Sequence, residues 1–453
     1  MTAKRHALAA RREIVGHTQE SLAQSLGVEP VTVGRWERGE TSPQPWCRPK
    51  LSDGLGVSVE ELDSMLAEGQ PVKTVVIFDT ADEPGVDLDH DVVLSAPWTH
   101  RGTVKSAVVL RGGDHPVKRR GFVFLNGVAL TAPAHQWLIH EPGPLVSGLS
   151  GRRVSAELAD RLPSMIAELR TMDDVAGGGA VLSLAQHQFG WVAGLLDQAS
   201  YDEPTGRKLH GALAELGQLA GWAAYDAGRQ ALAQRYYIAG LRAAHTADDR
   251  PLGAHILGFM SDQAVLEGRP AEAVTLIHTA FAGIRGEGTP RLLSELYMRQ
   301  GYALGAMHDA PGCIAAVSKA RSHLEPRDDD PAWLYWVSPA DITASAGCSL
   351  LLLGHPERAA TLLAEGIDLF DKSFVRDRQL FSVRLATALA RPGKQRDLDA
   401  AASRGIEAIT MAESLDSHRC IALVRGLRDQ MTPHATVPAV RDFLDRARGL
   451  VTV

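Results

Sequence analysis

Apolar residues recur at helical spacing near the start of the chain, in residues 18–42 (TQESLAQSLGVEPVTVGRWERGETS). Leu22, Ala23 and Leu26 would lie on one face of a first helix. Thr18 precedes this run, and its side-chain oxygen can accept a hydrogen bond from a free N–H of the first turn. The pattern therefore predicts a short amphipathic helix that begins just after Thr18.

A second helix is predicted after a tight turn. Gly27 can adopt the left-handed backbone that ends the first helix, and Pro30 suits a first helical position because its missing N–H would have no partner there. Val33 and Trp36 recur at helical spacing and are expected to pack inward. Two short helices joined in this way are typical of a helix-turn-helix motif, whose second helix enters the DNA major groove. The residues left facing outward on this second helix are Val31, Thr32 and Arg35.

The segment from about Ala3 to Leu66 resembles the phage-repressor-like (XRE-type) helix-turn-helix family, through RWERGETSP and the trailing LGVSVEEL as well as the two helices. The resemblance implies a five-helix domain over residues 1–70 that binds double-stranded DNA. Pro30 departs from the family, because a polar reader often stands at that position. Residue by residue, the resemblance implies base-edge contacts from Val31, Thr32 and Arg35, and phosphate contacts from Gln19, Arg38 and Thr41.

A repeat of four units occupies much of the C-terminal half. Its turns are predicted at Gly228, Gly268, His308 and Gly354, which are 40, 40 and 46 residues apart. In each unit, small residues stand seven positions before the turn and five and twelve after it, and a bulkier residue stands nine after it. Small residues at these offsets let two antiparallel helices approach closely. A non-repetitive helical bundle is the alternative, and the agreement at four offsets disfavours it.

These offsets are similar to the tetratricopeptide pattern over roughly residues 210–370. The period is longer than the norm of about 34 residues, and the proline that usually closes the second helix is absent; longer loops such as HTADDRP and EPRDDDPAW account for both. The resemblance implies a helical solenoid over residues 181–453, whose concave face typically receives an extended peptide or a partner segment. The residues expected to line that face are Gln218, Tyr225, Gln263, Arg299, Gln300 and Tyr302.

Residues 71–150 are predicted to be rich in β-strands. VKTVVIFD, DVVLSAP, TVKSAVVLR and GFVFLNGVAL are β-branched and aromatic runs separated by Pro, Gly and Asp, which favours three or four strands in a small sheet. Residues 151–180 are predicted to form a helix interrupted near Pro163, followed by a hinge at the three glycines 177–179. The predicted fold is therefore mainly α, with a small β-containing middle section.

Composition is typical of a soluble protein of two or three domains, with 453 residues, a net charge of −7 and 22% charged residues. No run of 18 or more uncharged apolar residues is present, so a cytoplasmic protein outside the membrane is expected. Four cysteines lie far apart without a CxxC pair, as expected for free thiols. No spacing typical of a metal site, a phosphate-binding loop or a nucleophile elbow is found, so no metal, cofactor or catalytic activity is expected.

A DNA reader joined to tetratricopeptide-like repeats resembles the peptide-responsive regulators of bacterial quorum sensing. We therefore expect a sequence-specific transcriptional regulator whose repeats bind a ligand, for which a peptide is one candidate, or mediate homodimer formation. Residues 1–50 hold 8 Lys and Arg against 5 Asp and Glu, so one copy would bind DNA weakly and paired half-sites would be needed. The alternative is a protein-interaction adaptor that uses the repeats and binds DNA weakly. An enzyme within residues 71–180 is a third and less favoured hypothesis.

Overall fold

The computed structural model contains two compact units, residues 1–75 and 76–453. The structure describes residues 8–9, 11–12, 15, 17–38, 41, 43, 47–57, 62, 66, 91–111, 124–143 and 151–450, apart from 285, 326 and 395. Each unit has its own buried apolar core.

The first unit contains three described helices: α1 (Gln19–Leu26), α2 (Pro30–Glu37) and α3 (Arg48–Leu55). Their apolar faces meet in a small core. The large apolar side chains that these helices bury are Leu22, Leu26, Val33, Trp36, Leu51 and Leu55. The other helices of the predicted five-helix domain fall largely outside the described residues.

Local sequence explains where α1 and α2 begin and end. The Thr18 hydroxyl accepts a hydrogen bond from the Ser21 N–H at 3.1 Å, and the Ser21 hydroxyl accepts one from the Thr18 N–H at 2.9 Å, which satisfies two N–H groups at the start of α1. Gly27 ends α1 with a φ of 69°, in the left-handed region that glycine adopts without strain. Pro30 is the first residue of α2. The predicted cap, turn and helix start are therefore confirmed.

The described elements of the second unit are helices joined by turns and loops, with two short 3₁₀ turns at Ala332–Leu334 and Thr432–His434 and one isolated β-bridge between Arg153 and Ser200. Its helices are α4 (Val92–Ser95), α5 (His100–Arg111), α6 (Val128–Ile139), α7 (Ala156–Ala176), α8 (Gly178–Gln198), α9 (Glu203–Asp226), α10 (Gln230–Ala247), α11 (Arg250–Leu266), α12 (Pro270–Ile284), α13 (Pro290–Ala306), α14 (Ala310–Ser322), α15 (Pro339–Leu352), α16 (Pro356–Leu369), α17 (Val375–Ala390), α18 (Leu398–Ala412), α19 (His418–Met431) and α20 (Pro438–Leu450).

From α9 onward the helices pack in successive pairs: α9 with α10, α11 with α12, α13 with α14, α15 with α16 and α17 with α18. The four predicted turn positions, Gly228, Gly268, His308 and Gly354, lie between the helices of the first four pairs and have φ values of 77°, 71°, 58° and 82°. Such left-handed residues end a helix sharply and let the next one return beside it. The predicted positions of these turns agree with the structure, while their assignment to the tetratricopeptide family stays a prediction.

The small residues before the turns make room for the bulky residues after them. A Cβ atom added to the glycine would lie within about 3 Å of its partner's side chain in three of the pairs. The distances are 2.5 Å from Gly221 to Tyr237 Cδ1, 3.1 Å from Gly301 to Val317 Cγ2 and 2.7 Å from Gly347 to Leu363 Cγ. Glycine at these positions therefore sets the close approach of the two helices in each pair.

The expectation of a β-rich middle section is wrong. DVVLSAP contains α4, TVKSAVVLR lies in α5, and GFVFLNGVAL runs into α6; the described residues contain no β-strand, and VKTVVIFD lies outside them. Val104, Ala107 and Leu110 are all buried at a spacing of three residues, which is the period of a helix face rather than of a strand. Val93 and Val104 are buried in a helical core, and packing against that core overrides their strand propensity.

Trp137 anchors α6 against the paired helices. Its ring is fully buried, and Cβ atoms added to Gly253 on α11 and Gly283 on α12 would lie 2.5 and 2.0 Å from the ring. Arg250 also donates a hydrogen bond of 2.8 Å to the Trp137 carbonyl. The described helices of the middle section therefore belong to the same helical core as α9–α12.

The helix predicted to be interrupted near Pro163 instead runs unbroken as α7, with exposed Pro163 inside it. The glycines that follow α7 are tightly packed. Added Cβ atoms would lie 2.9 Å from the Asp416 carbonyl oxygen at Gly177, 2.7 Å from Asp226 Cβ at Gly178 and 2.3 Å from Asp416 Cγ at Gly179. Close packing against α9 and the segment before α19 therefore explains these glycines.

Among the described helices, none combines the length and apolar character that crossing a membrane requires.

Candidate functional site

The outer face of α2 presents the three predicted base-reading residues. Val31 is 50% exposed, Arg35 is exposed and Thr32 is half-buried. Val33 and Trp36 on the opposite face are buried in the core of the first unit. The helix is therefore held by its inner face, and a short apolar side chain, a hydroxyl and a guanidinium are left at the surface.

A buried ion pair fixes the end of α2. Arg12 Nε donates to Glu37 Oε1 at 2.6 Å, and about 9% of each side chain is exposed. Glu37 Oε2 also accepts a hydrogen bond of 2.6 Å from Gln19 Nε2 at the start of α1. Glu37 therefore links the N-terminal segment, α1 and α2, which positions α2 relative to the helix before it.

Two of the predicted phosphate-binding residues converge beside Gly34. A Cβ atom added to Gly34 would lie 3.0 Å from Arg38 Nη1 and 3.2 Å from Gln19 Oε1, so glycine lets both side chains pack along α2. Arg38 is the exposed residue that ends α2, and the exposed Thr41 follows, with its N–H 3.4 Å from the Arg35 carbonyl. Gln19 and Arg38 therefore lie together beside α2, and Thr41 follows the end of that helix.

A second candidate site is a cavity of about 150 Å³ in the second unit. Its lining comes from α7, from the first helix of each pair (α9, α11, α13, α15 and α17), from α19 and from the connector around Ala332–Leu334. Aromatic side chains form much of the wall, namely Trp222, Phe259, Tyr302, Trp333, Trp336 and Phe381.

Arginines stack on these rings. The Arg299 guanidinium carbon lies 4.0 Å from the centre of the Phe259 ring, and that of Arg419 lies 4.3 Å from the centre of the Trp222 ring. Arg376 also lies 5.2 Å from the Trp222 ring. A guanidinium over an aromatic face is attracted by the ring's negative face. Three arginines of the wall are therefore held against its aromatic rings.

Carboxylates complete the cavity wall, and burial raises the pKa values of several of them. Arg376 contacts Asp173 and lies 3.4 Å from Asp174. Burial raises the pKa of Asp174 to about 7, although the charge of Arg376 and a hydrogen bond from Tyr335 act in the opposite direction. Burial also raises the pKa of Asp341 well above its usual range, and the neighbouring Asp377 adds to this shift. Titratable groups with such shifts gather at functional sites more often than elsewhere.

The structure brings together three of the six residues predicted to line a ligand face. Gln218, Arg299 and Tyr302 all line the cavity. Tyr225 and Gln263 are buried beside it: Arg419 covers the Tyr225 ring at 5.2 Å, and Gln263 Nε2 donates to Gln230 at 2.8 Å. The sixth, Gln300, is half-buried and is not part of the lining.

The sequence prediction missed most of the cavity. Trp333 ends EPRDDDPAW, a segment interpreted as an inter-repeat loop, and the sequence pattern did not single out Trp336 or Arg419. The aromatic run AWLYW at residues 332–336 was the available signal, because exposed loops rarely concentrate so many large apolar rings.

Among the described residues, no group of three or more His, Cys, Asp and Glu side chains is arranged to hold a metal ion.

Comparison with known proteins bears on the first unit. Residues 5–65 match the family model of the helix-turn-helix domain. No curated protein and no solved structure matches the chain. The match agrees with the positions of α1 and α2 and with the exposed outer face of α2. Residues 5–65 of this chain form a helix-turn-helix DNA-binding domain.

Proposed function

We propose that the protein is a sequence-specific transcriptional regulator that acts by binding DNA and not by catalysis. The observation that carries this proposal is the outer face of α2, where Val31, Thr32 and Arg35 stand exposed or half-buried on a helix whose other face is locked into a core. An arginine at this position can donate two hydrogen bonds to guanine, and a valine or the threonine methyl can contact the thymine methyl. Gln19, Arg38 and Thr41 would contact the phosphate backbone beside this face.

The second unit would supply control. We propose that its paired helices bind a ligand, for which a peptide is one candidate, or mediate homodimer formation. The first helices of successive pairs line one aromatic cavity, which supports a role in ligand binding. Ligand binding would then change the spacing of two DNA-binding units in a dimer, whose recognition helices must reach major grooves about 34 Å apart.

Selection of bound fragments from a random DNA pool by the full-length protein tests this function. The expected result is an inverted repeat, because a symmetric dimer presents two copies of α2. Affinity for the recovered site should fall steeply with salt, since binding to phosphates releases counterions. Recovery of no motif, combined with a weak salt dependence, would instead favour a protein-interaction adaptor that uses the helical pairs.

Light scattering after gel filtration tests the dimer separately. The chain is expected to be dimeric when bound to the recovered DNA site. A strict monomer both with and without that DNA would contradict the proposed spacing mechanism, whatever the DNA selection finds.

A further inference from the structure

The cavity of the second unit has an unequal charge distribution. Five arginines and five aspartates line it. Three of the arginines already form ion pairs with carboxylates that are not part of the cavity lining. These pairs are Arg170 with Glu215 at 2.8 Å, Arg419 with Asp226 at 3.1 Å and Arg299 with Glu295 at 3.0 Å. With all these groups ionised, carboxylates would exceed guanidinium groups by three.

The excess negative charge is concentrated around Arg376. This single guanidinium contacts Asp173 and Asp174 and lies 3.8 Å from Asp377. A fourth carboxylate, Asp341, is 6% exposed and accepts a hydrogen bond of 2.6 Å from the Ser338 hydroxyl, which brings no charge. Arg376 therefore lies beside three carboxylates, and Asp341, whose pKa responds to Asp377 and Asp174, adds a fourth acid to this part of the cavity wall.

The pKa values of these acids are raised mainly because burial disfavours the charged carboxylate. Burial raises the pKa of Asp173, and the Arg376 charge only partly opposes this. Burial raises the pKa of Asp262 as well, against the charge of Arg299. Nearby His255 does not compensate, because burial lowers its pKa although it contacts Glu295 at 2.7 Å. A cation bound in the cavity would lower these pKa values and so favour the ionised form of the carboxylates.

We propose that the cavity binds a small organic cation, an amine carried on an aromatic or apolar body. The amine would lie among Asp174, Asp341 and Asp377, and the body would lie against the aromatic wall. This inference rests on the proposed ligand-binding role of the second unit and names the chemical class of its ligand.

Size and chemistry both favour such a ligand. A cavity of about 150 Å³ is large enough for a single aromatic ring. An anion would meet the carboxylates around Arg376, and three of the five arginines are already engaged by Glu215, Asp226 and Glu295. A bare metal ion would not use the aromatic rings, and the described acids do not form a metal-binding group.

Calorimetric titration of the full-length protein with three matched probes tests the proposal. The probes are 2-phenylethylamine, the neutral 2-phenylethanol and the anionic 3-phenylpropanoate, each at millimolar concentration and at a pH just above neutral. The amine is expected to bind at least about tenfold more tightly than the other two, because a hydrogen bond to a charged group contributes about 1.5–3 kcal/mol. Tryptophan fluorescence should change with the amine, since Trp222, Trp333 and Trp336 line the cavity.

Asp341→Asn provides the matched variant. Asparagine has the shape of a protonated aspartate, so the variant is expected to fold, while its affinity for the amine falls about tenfold. Asp377→Asn provides a second variant with the same expected loss, should Asp341→Asn fail to fold. Asp368→Asn, at an exposed position of α16, should bind like the unmodified chain.

Preference for the amine together with its loss in the folded variant would support the proposal. Equal binding of the alcohol, preference for the carboxylate, absence of amine binding, or unchanged affinity in both aspartate variants would overturn it. The titrations contain no DNA, so failure here leaves the proposed DNA-binding function intact. Failure to select a DNA site would equally leave the cation site intact.

Discussion

The hydroxyl of Tyr335 donates a hydrogen bond of 2.6 Å to the carboxylate of Asp174, joining residues that are 161 positions apart. Arg376, a further 41 positions along the chain, lies 3.4 Å from the same carboxylate. The contact therefore ties together the end of α7, the connector before α15 and the start of α17. These three segments meet at the cavity, so its shape depends on the whole second unit.

Asp174 is expected to make the stability of the protein depend on pH. Its pKa is raised to about 7, so the folded chain keeps a proton that the unfolded chain releases near pH 4. The free energy of unfolding should therefore decrease as pH rises from about 4 to about 7. In Asp174→Asn, which mimics the protonated acid, this contribution disappears. Thermal unfolding measured across pH should show the variant gaining stability relative to the unmodified chain as pH rises.

Charged and polar neighbours also act on the pKa of Asp174. Arg376 and the Tyr335 hydroxyl favour its ionised form, while Asp173 and Asp377 oppose it. Tyr335→Phe removes one favourable contact, so the pH range of the transition should move upward. The exposed variant Asp368→Asn should keep a constant offset from the unmodified chain. A constant offset in Asp174→Asn would show that this carboxyl titrates normally.

Gly221 is expected to tolerate no side chain. A Cβ atom there would lie 2.5 Å from the Tyr237 ring, so Gly221→Ala would force α9 and α10 apart. Overpacking of this kind costs about 1–3 kcal/mol. Urea unfolding followed by helical circular dichroism measures the loss.

Gly211 on the same helix is the matched control. Nothing lies within 4 Å of a Cβ added there, so Gly211→Ala should gain about 0.5–1 kcal/mol from the better helix propensity of alanine. If both alanine variants were equally stable, the close approach of α9 and α10 at Gly221 would not be a determinant of the fold.

The repeat could be predicted from sequence because its signals are local. Each turn needs one left-handed residue, and each helix pair needs a small residue opposite a bulky one, as at Gly221 and Tyr237. These requirements leave a fixed spacing along the chain that can be counted. The cap at Thr18 and the turn at Gly27 are local in the same sense.

The middle section and most of the cavity depend on distant contacts. Within a short stretch of sequence, β-branched Val104 favours a strand and Leu110 is simply apolar. Their segment is helical because it is buried against α8 and α10. Trp333 lies in a connector whose pattern predicts a loop. Its place in the cavity comes from packing against His255, with ring centres 4.3 Å apart. No spacing within the sequence encodes a contact between such distant segments.

Glu37 is expected to stabilise the DNA-binding unit. Its carboxylate holds both Arg12 and Gln19, and removing one partner of a buried ion pair costs about 3 kcal/mol. Hydrogen exchange followed by mass spectrometry of the full chain should therefore show faster exchange across α1 and α2 in Glu37→Ala. Glu37→Gln keeps one acceptor and should lose less. Unchanged exchange in Glu37→Ala would mean that the ion pair contributes little.

Arg38 is expected to contribute affinity without sequence preference. A phosphate contact is the same for every sequence, so Arg38→Ala should weaken binding to the selected site and to unrelated DNA by the same factor. The slope of log affinity against log salt should decrease by about 1 per DNA-binding unit. A larger loss on the selected site than on unrelated DNA would instead place Arg38 at a base.

The most direct test of the account is the sequence preference of Arg35→Ala, measured by competition between the selected DNA site and single-base variants of it. If Arg35 reads a base from the exposed face of α2, affinity for the selected site should fall by about 1–3 kcal/mol, and discrimination at one base pair of each half-site should be lost. Unchanged affinity and unchanged discrimination at every position would contradict the assignment of α2 as the sequence-reading helix.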